Sequence, residues 1–331
     1  MPAITNFLNR YFNKEQPKPP PPISTGTAAA LLVIYTLIYV VPFYLSATTR
    51  PSKTLSRDAP SVIQARIRSV SLTCVVCSLI TFVILTSRGR ATNGDALHSM
   101  GYWPLGLAEA GRSLLLTAIL FSGPLYEHLL VDGGWRQLFS LYPISRLSEW
   151  ICWRNIIAGP LTEEVLFRSA SVPLMIIAET SVTRTIFLSP VIFGLAHVHH
   201  FYEFRVTHPH EPAATGLLRS LLQFTYTSLF GAYATFLFLR TGSLLAIFVV
   251  HAFCNTMGLP RFWGRVEPSS DMDDAEGNED RDDGKDDLKK PSVSILWSIV
   301  YYVLLIGGAV TWWKNLGVLT ISSNALVAMK I

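Results

Sequence analysis

The sequence predicts an all-α, polytopic membrane protein with about eight transmembrane helices, and three observations carry that reading. Half of the 331 residues are hydrophobic and only 15% are charged, against roughly 25% charged residues in soluble domains. The mean hydropathy is +0.36. The charges are also segregated, leaving charge-free runs of about the 20 residues that a helix needs to cross a bilayer core. A disordered chain, a secreted disulfide scaffold and a typical cytosolic enzyme are excluded by the same balance.

The runs follow in order. No charge occurs between Lys18 and Arg50, and residues 27–45 form the first expected span. After a basic loop, 50–68, the second occupies 69–87, between Arg68 and Arg88. The third, 105–131, carries Glu109 and Arg112, which at i,i+3 can pair on one helix face. Residues 132–154 are amphipathic and hold Trp135, Trp150 and Trp153, rings that favour the headgroup level, so an interfacial segment is expected. Helices are then expected at 160–177, 185–197, 221–239, 243–258 and 293–313, with a His-rich polar loop at 199–212.

The resulting organisation is a polar, Pro-rich segment at 1–24, membrane helices and the interfacial segment at 25–154, and a catalytic membrane core at 155–258. An acidic, disordered loop at 259–292 and a last membrane helix with its tail at 293–331 complete the chain. Between Glu267 and Lys290 there are 11 acidic and 4 basic residues, which leaves 23 basic against 12 acidic elsewhere. That excess sits in short loops, where lysine and arginine meet anionic lipid headgroups. No aromatic-interleaved basic stripe is present, so nucleic acid is not an expected partner. The first segment lacks a signal-peptide pattern. Cys74 and Cys77 read formally as CxxC but lie in an apolar run, which makes buried thiols of them rather than a redox or zinc motif.

Ionisable residues at membrane depth are costly and usually mark function. Three segments carry them. In Gly159-Pro160-Leu161-Thr162-Glu163-Glu164, proline is expected at the first helical position, which puts both glutamates in the first turn near the positive end of the helix dipole. Glu164 and Arg168 have the i,i+4 spacing of an ion pair, leaving Glu163, about 100° around the helix, to face a cavity. A buried charge network without chemistry fits this segment equally well. Phe193 and His197 share a face one turn apart, as do His251 and Asn255. Histidine and asparagine can both donate hydrogen bonds to a developing oxyanion, or pair helices together. A carboxylate with an imidazole is what activation of water requires. There is no HExxH or GxSxG, although Glu163, Glu164, His197 and His251 could between them hold zinc as a lesser alternative.

Glu163-Glu164-x-x-x-Arg168, Phe193-x-x-x-His197 and His251-x-x-x-Asn255, in that order, resemble the three motifs of the type II CAAX prenyl endopeptidases, the Ras-converting enzymes of the CPBP group. The match runs from about Asn155 to Met257. The resemblance implies a glutamate-type intramembrane protease of the endoplasmic reticulum, multi-pass and open to the cytosol. It implies removal of the last three residues of prenylated CaaX proteins such as small GTPases, without cofactor or metal. By that analogy Glu163 and His197 activate water, His251 and Asn255 stabilise the oxyanion, and Glu164, Arg168 and Phe193 support them. Cys254 is a weaker candidate nucleophile, since buried apolar thiols are usually inert. Two competing readings are a CPBP protease with other substrates and a non-enzymatic membrane scaffold or transporter. A transporter would usually show internal repeats, and none is evident.

Overall fold

The computed structural model describes residues 19–139, 148–268 and 294–329. Most of the acidic loop, the first 18 residues and part of the interfacial segment lie outside the described residues. Among those described, every regular element is helical.

Helix α1, Thr25–Val40, is capped by the Ser24 hydroxyl, which accepts from the Thr27 amide at 3.0 Å. Helix α2 spans Pro60–Ser87 and α3 Leu107–Leu120. Helix α4, Gly159–Glu164, lies inside a longer helical stretch, with π-helical turns before it at Arg154–Ala158 and after it at Val165–Ala170. Next come α5, Val182–Ala196; α6, His199–Thr207; α7, Ala213–Thr241; α8, Leu244–Met257; and α9, Ile295–Leu319.

Among the described residues, three helices are long and apolar enough to cross a membrane: Thr25–Leu45, Pro60–Ser87 and Ile295–Leu319. A fourth is added if Leu107–Leu120 and Ser122–Val131, which meet at an 82° bend, count as one span. By length and composition, three or four of the described helices qualify as membrane spans, fewer than the eight expected. The other expected spans are helical but fall short for physical reasons. Helices α5 and α8 are short, the stretch around α4 carries Glu163, Glu164 and Arg168, and α7 carries Gln223, Thr225 and Ser228 along its length.

The π turns also correct the expected position of the glutamates. Pro160 does not begin the helix, because the chain is already helical from Trp150. The Gly159 amide bonds back five residues to the Arg154 carbonyl, so the ladder has already shifted register where proline lacks its N–H. Glu163 and Glu164 therefore lie within a helical run, and the helix-dipole contribution expected for them is absent.

Helices α1 and α2 clasp this stretch. The Tyr35 hydroxyl meets Thr81 at 3.0 Å, and the Thr81 hydroxyl donates to the Ala170 carbonyl at 2.8 Å. The buried Cys74 thiol donates to the Thr162 carbonyl at 3.2 Å, and Cys77 is likewise buried and unbridged, as expected from the apolar run. Glu109 and Arg112 make their i,i+3 contact at 3.5 Å, and Glu109 also accepts from Ser322 at 2.8 Å. Helix α7 ends at Gly242, whose φ of 59° is left-handed. The Ser243 side chain then starts α8 by accepting from the Ala246 amide at 3.0 Å. This tight reversal lays α8 back along α7, so that His251 returns to the level of the glutamates.

Helices α5 and α7 make the most extensive pairing among the described helices. At Gly231 a β-carbon would lie 2.7 Å from Pro190 Cβ and 3.0 Å from Arg168 Nη2. The glycine admits both the facing helix and the guanidinium. Gly231→Ala should therefore destabilise the fold by about 1–3 kcal/mol, the usual range for overpacking. A lowered melting temperature of the detergent-solubilised protein is the expected reading, and an unchanged one would show that the helices can part without cost.

Candidate active site

The Glu164 side chain is fully buried and Arg168 is 1% exposed. Arg168 Nη1 donates to Glu164 Oε1 at 2.9 Å, the ion pair expected from their spacing. The same carboxylate oxygen is 2.6 Å from His251 Nδ1 on α8, a contact that spacing along one helix could not reveal. The Arg168 guanidinium lies 4.6 Å from the centre of the Phe193 ring, a cation–π contact, and that ring stands edge-on to His197 at 4.8 Å. One buried carboxylate and one arginine thus join the three segments: α4 with its following turn, α5 and α8.

His197 Nδ1 is 2.9 Å from the Phe193 carbonyl. A carbonyl can only accept, so Nδ1 carries a proton, and in the neutral form of the ring the lone pair is at Nε2. Glu163 turns away from the pair, and His251 Nε2 lies 3.7 Å from Glu163 Oε2. Asn255 is exposed, and its amide donates to the Asn155 carbonyl at 2.9 Å. Among the four candidate catalytic residues, Glu163, His197 and Asn255 line both of two neighbouring cavities, of about 310 and 750 Å³, whereas His251 lines only the larger. His251 and Asn255 both line the larger cavity, and Asn255 extends to the smaller one. One is anchored to Glu164, the other to the Asn155 backbone. Cys254 lines the larger cavity as well.

Several residues here carry no sequence motif. Asn155 and His200 line both cavities. Arg57, Arg66 and Arg154 line the smaller one. The basic loop expected at the lipid headgroups is in part folded against α6, where Arg57 and Arg66 reach Glu203 at 3.2 and 2.8 Å. A basic loop with one glutamate among histidines would have been the only signal in the sequence.

His199, His200 and Glu203 bring three potential metal-ligand atoms within 4.8 Å of one another, whereas Glu163, Glu164, His197 and His251 form no such group among the described residues. The Glu203 carboxylate is already held by two guanidinium groups and by His200 Nδ1 at 2.9 Å, an arrangement that opposes a further cation. Burial pushes the Glu203 carboxyl up, but His200, Arg57 and Arg66 together hold it well below the usual carboxylate range. Burial, with His200 alongside, pushes His199 down to about 3, and burial also lowers His200.

A stability change with pH follows. Below the ordinary histidine value of 6.5, an unfolded chain takes up protons that buried His199 refuses until about pH 3. Stability should be greatest above 6.5 and fall as acid is added, with Glu203 adding to the loss at lower pH. The melting temperature is expected to drop between pH 7 and 5, and replacing both histidines by glutamine should flatten that slope. An equally steep slope in the double variant would assign it to other groups.

Comparison with known proteins came to the same segments. A family model described as type II CAAX prenyl endopeptidase, Rce1-like, matches residues 145–257. The chain is 42% identical over 232 residues to a probable CAAX prenyl protease 2 of Schizosaccharomyces pombe, covering 70% of this chain and 81% of that one. It is 34% identical over 260 residues to CAAX prenyl protease 2 of Arabidopsis thaliana, covering 72% of this chain and 81% of that one. For CAAX prenyl protease 2 of Homo sapiens the identity is 36% over 224 residues, covering 64% and 66%. No solved structure matches the chain.

Proposed function

Because this chain belongs to the Rce1-like family of type II CAAX prenyl endopeptidases, we propose that it removes the aaX tripeptide from prenylated CaaX proteins, small GTPases among them, at an active site in the endoplasmic reticulum membrane that opens to the cytosol. The observation that carries this reading is the placing of Glu163 and His197 on the same two cavities, backed by a buried network that ties up Glu164. The eight helical segments of the expected topology would all lie at membrane depth, with residues 155–258 as the catalytic core.

In the proposed reaction, water is held between the Glu163 carboxylate and His197 Nε2. Glu163 takes a proton as the oxygen adds to the scissile carbonyl carbon. The negative oxygen so formed accepts hydrogen bonds from Asn255 and His251. Asn255 spends one amide hydrogen on the Asn155 carbonyl and keeps its second. His251 gives its Nδ1 proton to Glu164, so donation to the oxyanion requires a proton on Nε2 as well. As the C–N bond breaks, the proton first taken from water passes to the leaving amine, and the new carboxylate stays on the prenylated cysteine. The larger cavity, lined by residues such as Tyr226, Leu229, Phe230 and Trp312, suits the prenyl chain. Burial contributes roughly 0.8 kcal/mol per CH₂ to its binding.

Glu163→Gln should abolish release of the tripeptide from a farnesylated CaaX peptide and leave the protein folded. Glu164→Gln should lower stability through Arg168 and His251. An otherwise identical peptide without the prenyl group should be a far poorer substrate. Wild-type turnover by Glu163→Gln would reject the assignment, and equal cleavage of the two peptides would reject the lipid-binding role of the larger cavity.

Asn255 is the cleaner probe of the oxyanion site, since removing His251 also strands Glu164. Loss of one such donor typically costs about 10²- to 10³-fold in kcat. Asn255→Ala should show that loss with little change in KM, while Cys254→Ala stays within a few fold of wild type. The opposite ranking would point to a thiol nucleophile.

A further inference from the structure

Arg57, Arg66 and Arg154 all line the smaller cavity, together with Glu163 and His197. Their acidic partners do not. Glu203 meets Arg57 and Arg66 at 3.2 and 2.8 Å, and Asp58 meets Arg154 at 2.7 Å, yet neither carboxylate is part of the cavity lining. The guanidinium groups are thus held by these contacts while facing the cavity. Among the described residues, Glu163 is the one carboxylate in the cavity lining.

Each guanidinium carries five N–H donors in a fixed fork suited to a carboxylate. The contact with Glu203 occupies one nitrogen of Arg57, and those with Asn155, the Arg57 carbonyl and Asp58 occupy two of Arg154. Arg66 is more committed, since it also holds the Thr49 carbonyl at 2.8 Å.

We infer that Arg57 and Arg154 bind the free C-terminal carboxylate of the substrate and so set where along the chain the bond is cut. The inference rests on the CaaX reading above. A tripeptide leaving group carries a carboxylate at most about 10 Å from the scissile bond in extended form. An anion fixed at that distance from Glu163 would select a chain end over an internal peptide bond. The wall would then act as a ruler: its charge holds the end of the chain while the apolar cavity holds the lipid.

The test uses the full-length enzyme in membranes and two farnesylated peptides that differ only at the C-terminus, one a carboxylate and one a carboxamide. Wild type should process the carboxamide with kcat/KM about ten- to a hundredfold lower, the range for loss of a charge-assisted hydrogen bond, and mainly through KM. Arg57→Gln and Arg154→Gln should each lower kcat/KM for the carboxylate peptide and leave the carboxamide near its wild-type value, so that the preference collapses towards one. Arg57→Lys should keep part of it. Equal cleavage of the two peptides by wild type would overturn the ruler and leave the protease reading standing. So would arginine variants that slow both peptides alike, or whose loss tracks anionic lipid content, the signs of a structural or headgroup role. Failure of wild type to cut either peptide would overturn the protease reading, and this inference with it.

Discussion

A single buried carboxylate organises this protein. Glu164 Oε1 accepts from Arg168 at 2.9 Å and lies 2.6 Å from His251 Nδ1. A lone carboxylate at that depth would be very costly, so each contact is obligatory for the other. Removing one partner of such a buried pair typically costs about 3–5 kcal/mol, because the remaining charge is left without compensation. The pair also fixes geometry. Arg168 carries Phe193 on its face, Phe193 stands against the His197 ring, and its carbonyl holds the His197 proton at Nδ1. The orientation of two imidazole rings on different helices is thus traceable to one glutamate.

The backbone serves the same end. The π turns on either side of α4 widen the helix where Pro160 lacks a donor and where Arg168 must reach inwards. Such turns are rare and recur at functional sites, because they re-aim side chains at the cost of regular hydrogen bonding. Helix α7 contributes mainly space, with Gly231 opposite Pro190 and Arg168. Gly242 reverses the chain so that α8 can bring its histidine to the network. Close helix approach through a small residue, with polar contacts between helices, is how membrane helices associate when hydrophobic burial cannot drive them together.

Two cavities of different character meet at Glu163 and His197. The larger has a mostly apolar lining and the smaller an arginine-rich wall. A substrate with a lipid at one side of the scissile bond and a charged terminus at the other would match both. The cluster of His199, His200 and Glu203 adjoins this wall. Its carboxylate is engaged in holding guanidinium groups, which makes a structural part of what could otherwise be taken for a metal site.

The sequence alone determined the helical class and membrane character, the order of the motifs, and the division between Glu163 and Glu164. Each is set by local spacing: charge-free runs the length of a bilayer, an i,i+4 acid and base, and residues one turn apart on one helix face. The i,i+4 rule allowed Glu164–Arg168 to be read directly. It could not show that His251, 87 residues further on, shares the same oxygen. Nor could it show that the Asn255 amide donates to the Asn155 carbonyl. The glutamates do not lie at a helix start, because the π turn before Pro160 already accommodates its missing donor. Hydropathy marks fewer spans among the described residues than the eight expected, since helices that face a polar cavity carry polar groups that lower their mean hydropathy. Tertiary structure decided what depends on contacts between distant segments: which imidazole each carboxylate holds, which arginines enter the cavity, and where the loop after α1 comes to rest. Local periodicity records how one helix meets its surroundings, but the partners themselves are chosen only when helices far apart in the chain pack together.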